Sequence, residues 1–141
     1  MFKTIVFATD GSLAAERVLL YAEHVARVEE AHVFVVHAYQ LPRAYEWAEG
    51  YQELAEQYRR VAQEAARDAV RVLERAGIQA TPDVREGPPA QVTLTAAQEH
   101  NADLIVMGSR AEKRENVAEL ILGSVSAAVL RFAPCPVLIV P

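Results

Sequence analysis

A single cysteine, Cys135, leaves the chain without an internal disulfide and without the ligand set that zinc or an iron–sulfur cluster requires. That usage fits a reducing cytoplasm. Basic residues are also in deficit. Fourteen Lys and Arg stand against nineteen Asp and Glu, a net charge of −5, with no basic stripe for a phosphate backbone, so nucleic acid is not an expected partner. No apolar run approaches the roughly 20 residues that span a bilayer, and Met1-Phe2-Lys3-Thr4 leads into a strand-like run with no signal-peptide pattern. The expectation is a cytoplasmic protein with no membrane insertion. Pro/Gly/Ser tracts and single-sign charge blocks, the marks of disorder, are missing too. The 141 residues are the length of one domain, taken as 1–141.

Several catalytic signatures are absent. There is no Gly-Lys-Ser/Thr of a Walker loop and no Gly-x-Ser-x-Gly nucleophile elbow. A phosphoryl-accepting receiver domain would carry adjacent acidic residues after its first strand, where only Asp10 stands. The histidines His24, His32, His37 and His100 share no metal-ligand spacing and are read as structural, as is Cys135.

What the sequence does contain is a regular alternation. Short β-branched apolar runs at Thr4 to Ala8, Val33 to Ala38, Asp103 to Gly108 and Pro136 to Val140 read as strands buried on both faces, with a weaker, more polar edge strand at Ala80 to Arg85. Between them lie helical periods. Ala14, Val18, Tyr21, Ala22 and Val25 make one stripe. Leu54, Tyr58, Val61, Ala62, Ala65, Ala69, Val72, Leu73 and Ala76 make a longer one, ended by Gly77. A third helix starts near Pro89 and closes at Asn101, and a fourth spans Ser124 to Phe132. Leu41 to Gly50 is expected to be a mobile loop. The predicted fold is α/β: an open five-stranded parallel sheet with helices on both faces and right-handed crossovers.

In such a sheet ligands lie beyond the carboxyl ends of the strands. The search therefore falls on Thr9-Asp10-Gly11-Ser12, Ala38-Tyr39-Gln40, Met107-Gly108-Ser109-Arg110, and Gly123-Ser124-Val125-Ser126 at the start of the last helix, where free backbone N–H groups suit an anion. Asp10 has a second reading as a helix cap, Gly123-Ser124 as a simple helix start, and Arg110 as a solvated loop charge.

Four ordered blocks carry a family resemblance. They are Ile5-Val6-Phe7-Ala8-Thr9-Asp10-Gly11-Ser12, Glu86-Gly87-Pro88-Pro89-Ala90, Ala102 to Arg110, and Leu122-Gly123-Ser124-Val125-Ser126 running on through Ala133-Pro134-Cys135-Pro136-Val137-Leu138. Together they resemble the universal stress protein family across essentially the whole chain. The resemblance implies a Rossmann-like, nucleotide-binding α-hydrolase-like fold with sheet order 3-2-1-4-5, a homodimer, and a role in stress adaptation. One branch of that family binds ATP through a Gly-x-x-Gly-(nine residues)-Gly-Ser/Thr pattern. Carried over by position, Ala8 and Thr9 would be among the nucleotide-binding residues, and Asp10 would lie near the ribose and phosphates and reach a magnesium ion brought in by the nucleotide. Ala38 would meet the adenine, Met107 and Gly108 would form the floor, and Arg110, Gly123, Ser124, Val125 and Ser126 would hold the phosphates. The pattern is not intact here. Ala111 replaces its second glycine, and eleven residues, Glu112 to Leu122, precede Gly123.

The expected function is thus a regulatory module binding ATP, ADP or AMP, with at most slow hydrolysis and with a protein partner still to be named. A nucleotide-free dimeric interaction module is the alternative, and a weak ATPase the third reading. Val137 to Val140, apolar and at an edge by the family's sheet order, is the expected dimer strand.

Overall fold

A computed structural model describes residues 1–109 and 122–141. The chain alternates strand and helix: β1 (Thr4–Thr9), α1 (Leu13–Glu29), β2 (His32–Tyr39), α2 (Tyr51–Arg75), β3 (Ala80–Glu86), α3 (Pro89–Glu99), β4 (Leu104–Gly108), α4 (Ser124–Phe132) and β5 (Val137–Val140). The strands form one parallel sheet in the order β3-β2-β1-β4-β5. This is the expected α/β architecture with the expected order.

Both faces of the sheet are covered, which is why the strand sequences are apolar without alternation. Ile5, Phe7, Val33, Val35 and Val106 point to the layer of α1 and α2. Val6, Val36, Ile105 and Met107 point to α3 and α4. The edge strand β3 is more exposed and polar, as its composition predicts. On the α3 side of β3, Asp83 accepts from Arg85 at 2.8 and 2.9 Å and pairs with His100 Nε2 at 2.7 Å. Phe34 is stacked between the His32 and His100 rings, with centroids 4.3 and 3.8 Å away.

Two helix stripes differ from the sequence reading. On α1 the buried residues are Val18, Leu19, Ala22 and Ala26, while Ala14 and Tyr21 face outward. The helix also carries exposed Leu13, Leu20 and Val28. With apolar residues nearly all round, its period does not select one face, and the sheet takes the one containing Leu19 and Ala26. On α2 the buried set is Ala62, Ala66, Ala69, Val70 and Leu73, whereas Tyr58, Val61 and Val72 are exposed. Alanines there let the helix backbone lie close on β2 and β3, which larger side chains would hold off.

Helix ends follow their predicted signals. Gly77, at φ +80°, ends α2 with its N–H on Glu74 O at 2.9 Å, and the Ile78 N–H reaches Leu73 O at 3.0 Å. This paired 5→2 and 6→1 closure needs the left-handed residue that glycine supplies. Asn101, at φ +52°, closes α3 in the same manner. The 41–50 stretch is not featureless: a 3-10 turn spans Arg43–Tyr45, and Arg43 pairs with Glu86 at 3.6 Å.

Arg110 and Ala111, like all of 110–121, lie outside the described residues, so the expectations placed on them go unmatched to structure. Among the described residues no helix is long and apolar enough to cross a membrane.

Candidate functional site

The sheet order reverses between β1 and β4. From there α1 departs to one face and α4 to the other, so the chain parts beyond the strand ends. A crevice of about 550 Å³ opens at that point, within the range that takes a small organic ligand.

Its first wall is the turn after β1. Thr9 Oγ1 accepts from the Gly11 N–H at 3.1 Å, and Asp10 Oδ1 accepts from the Ser12 N–H at 2.9 Å. Ser12 caps α1, its Oγ accepting from the Ala15 N–H at 3.3 Å. The cap is therefore Ser12, and Asp10 instead shapes the turn that leads into it. Gly11 has φ +74°, and a Cβ there would lie 3.2 Å from both Ala65 Cβ and His37 Nε2. The turn thus sits directly on α2 and on the last residues of β2.

His37 is nearly buried beneath this turn. Its Nδ1 lies 3.1 Å from Ala38 O. Burial pushes the imidazole below its ordinary value, opposed by hydrogen bonds to the Ala38 and Asp10 carbonyls and by the Asp10 charge.

The facing wall is the start of α4. Gly123 is its N-cap and offers no side-chain acceptor, while the helical ladder begins with Ala127 N–H on Gly123 O at 2.9 Å. The N–H groups of Ser124, Val125 and Ser126 have no intrahelical partner, as in any helix first turn, and together they form an electropositive cradle. Ser126 is 1% exposed, and its hydroxyl lies 2.8 Å from Ser109 O and 3.0 Å from Gly123 O. Its proton is engaged in fixing the helix start to the end of β4, a link reinforced by Gly123 N–H on Ser109 O at 2.9 Å.

Between these walls, Val36, Ala38, Met107, Pro89 and Val125 supply an apolar slot on the α3–α4 side. Thr93 lines it as well, with its hydroxyl bonded to Pro89 O at 2.8 Å. On the opposite side the crevice runs along α1, past Ala14, Arg17 and Val18, to Gly108 and Val140. A Cβ at Gly108 would stand 3.3 Å from Val18 Cγ2.

Of the residues picked from sequence, Ala8, Thr9, Asp10, Ala38, Met107, Gly108, Val125 and Ser126 line this one crevice. Gly123 and Ser124 sit beside it as the N-cap and first residue of α4 and do not line it. Arg110 is outside the described residues. Sequence reasoning missed the α1 wall, Arg17 above all, and also Val36, Pro89 and Thr93. The signal for Arg17 was its position beside inward-facing Val18, one turn beyond the α1 cap. Among its side chains the described lining holds one carboxylate, Asp10, and one cation, Arg17. Among the described residues no cluster of three or more His, Cys, Asp or Glu is placed to hold a metal ion. Cys135 is half-buried away from the crevice, and burial together with the Asp103 charge pushes its thiol up, away from the reactive thiolate. The arrangement suits holding an anionic ligand with an apolar end.

The model of the universal stress protein family matches residues 1–141. A Thermus aquaticus protein, "Universal stress protein in QAH/OAS sulfhydrylase 3'region", is 37% identical over 140 residues, 99% of each chain. Among solved structures, hypothetical protein MJ0577 superposes with a TM-score of 0.83 at 27% identity, over 99% of this chain and 96% of that one. A universal stress protein in complex with cAMP superposes with a TM-score of 0.71 at 28% identity, over the same shares.

Proposed function

The chain belongs to the universal stress protein family, and on that premise we propose that its crevice binds an adenine nucleotide, ATP or its di- and monophosphate, as a regulatory ligand. One observation carries the reading. The apolar side chains of Val36, Ala38, Pro89 and Met107 and the first turn of α4, through Val125 and Ser126, line the same crevice, at the point where the sheet order reverses. The relative that holds cAMP supports the ligand class.

In this reading the base lies in the slot of Val36, Ala38, Pro89 and Met107, where apolar contact costs no polar group its partner. Ala8 and Thr9 border the ribose. The phosphates meet the first turn of α4 at the N–H groups of Val125 and Ser126, with Gly123 and Ser124 beside the crevice. The Ser126 hydroxyl holds that turn in place and is not itself a free donor. Asp10 reaches a magnesium ion carried by the phosphates. A nucleotide so bound is held and oriented as a regulatory ligand, with turnover at most slow.

Binding to the folded state alone raises stability by mass action, about 2.7 kcal/mol at a hundredfold excess over the dissociation constant. ATP with magnesium should therefore raise the melting temperature in proportion to the logarithm of its concentration, and titration calorimetry should show one site per chain. Neither heat nor thermal shift at millimolar ATP overturns the reading.

We also propose a homodimer through Val137–Val140. β5 ends the sheet, so one side of its backbone has no strand partner among the described residues, and Leu130 and Phe132 on neighbouring α4 are half-exposed or more. A twofold-related β5 would satisfy the edge.

A further inference from the structure

We propose that Arg17 sets the crevice's preference for nucleotides with more than one phosphate. The inference rests on the reading of the crevice as an adenine-nucleotide site and goes beyond it by naming the residue that tells ATP from AMP or adenosine.

Arg17 is the only cationic side chain among the described residues that line the crevice. It has no ion-pair or hydrogen-bond partner among them, whereas Arg27 on the same helix pairs with Glu23 at 3.2 Å. Packing does not account for it, because Arg17 is exposed on the wall and the inward position beside it is Val18. The helix dipole does not account for it either, since a cation near a helix N-terminus faces the positive end. What remains is its place. It stands on the α1 wall, on the opposite face of the sheet from the N–H cradle of α4, and the crevice joins the two past Gly108.

The charge inventory makes this placement useful. The helix cradle offers partial charges and suits the first phosphate. Each further phosphate adds negative charge beyond the reach of that cradle, and among the described lining residues Arg17 is the side chain that can meet it with a positive one. A guanidinium also suits the task geometrically, presenting two parallel N–H donors to a phosphoryl group where a lysine presents a point charge.

The experiment titrates the full chain with adenosine, AMP and ATP, at low and high salt, in the parent and in Arg17→Gln, Arg17→Lys and Arg75→Gln. Arg75, in the last turn of α2 at the far end of the sheet, removes the same charge away from the crevice. Arg17→Gln should weaken ATP about tenfold at low salt, equivalent to about 1.4 kcal/mol. It should leave adenosine unchanged and shrink the loss as salt rises. Arg17→Lys should recover part of the preference, and Arg75→Gln should alter neither ligand. If Arg17→Gln keeps the parent's ATP-to-adenosine ratio, or if Arg75→Gln lowers it equally, the inference is overturned while the nucleotide reading stands. A parent that binds adenosine no more weakly than ATP also overturns it. A parent that binds no adenine nucleotide overturns both.

Discussion

Replacing Gly11 by alanine tests the most consequential local feature of the site, the seating of the β1–α1 turn on His37 and Ala65. Two costs add. At φ +74° a residue with a Cβ pays about 1 kcal/mol over glycine for the left-handed conformation. The new Cβ would also stand 3.2 Å from Ala65 Cβ and 3.2 Å from His37 Nε2. Ordinary carbon contacts lie near 3.5–4.0 Å, and neither neighbour has room to give: one is a helix methyl group and the other a nearly buried ring bonded to backbone carbonyls. Overpacking of this kind costs about 1–3 kcal/mol. The expected total is about 2–4 kcal/mol, or roughly 6 to 16 °C in melting temperature for a domain of this length.

Gly77→Ala is the built-in control. Its φ is +80°, but nothing lies within 4 Å of its Cβ position, so it should show the conformational part alone, about 1 kcal/mol. Urea unfolding of the two variants measures the difference, and titration with adenosine and ATP adds the functional consequence. Gly11→Ala should weaken binding by moving Asp10 and the Ser12 cap, and Gly77→Ala should not. If the two alanines cost the same, the turn is not seated on Ala65 and His37 as described.

Further outcomes follow from the same geometry. Ser126→Ala should lose about 1–2 kcal/mol in urea unfolding, because Ser109 O and Gly123 O lose a donor inside the fold; a change within about 0.5 kcal/mol, as for an ordinary surface substitution, would refute the engaged hydroxyl. Burial works to raise the Asp83 carboxyl, but its bonds from Arg85 and His100 outweigh that and hold it below the ordinary value. Its contribution is then complete above that ordinary value and is lost as pH falls through the lowered one. Asp83→Asn should cost about 1–3 kcal/mol at pH 7 with the gap to the parent closing in acid, and an equal gap at all pH values would sink this account. His37, held low by burial, should titrate by NMR below the ordinary 6.5; being neutral in the fold, it contributes fully above that value and destabilises as pH falls through its lowered one. Ile139→Lys should convert a dimer to a monomer in sedimentation, and a parent already monomeric at tens of micromolar removes the proposed β5 contact.

The strands and the floor of the site were legible because each is written in a contiguous stretch. Buried parallel strands demand apolar residues on both faces, so Ile5 to Ala8 or Leu104 to Met107 can hardly be read otherwise. Their carboxyl ends then place Thr9, Asp10, Ala38, Met107 and Gly108 in one crevice by topology alone. Helix ends were legible for the same local reason, since Gly77 and Asn101 do their work within a few residues of where they stand.

The walls were not legible, and the reason is rotational. A helix residue lines a crevice only if the helix is turned the right way, and the turn is chosen by packing against residues far off in sequence. On α1, Leu13, Leu20, Tyr21 and Val28 compete with Leu19 and Ala26 for the inward face. The face that wins puts Val18 under the sheet's end and thereby Arg17 into the crevice; a rotation that buried Ala14 and Tyr21 instead would alter which α1 side chains line it. Ser126 shows the complementary limit. Its sequence context marks the start of a helix at a phosphate-type site, but whether its hydroxyl faces a ligand or the protein depends on the carbonyl of Ser109, seventeen residues away at the end of β4. There the fold uses the hydroxyl to pin the helix start, and in the proposed nucleotide site this leaves the backbone N–H groups as the part of α4 to meet an anion. In the proposed nucleotide site, recognition of charge is therefore divided. The invariant share comes from backbone geometry that any sequence with this fold supplies, and the variable share comes from whichever side chain the α1 rotation delivers, which here is an arginine.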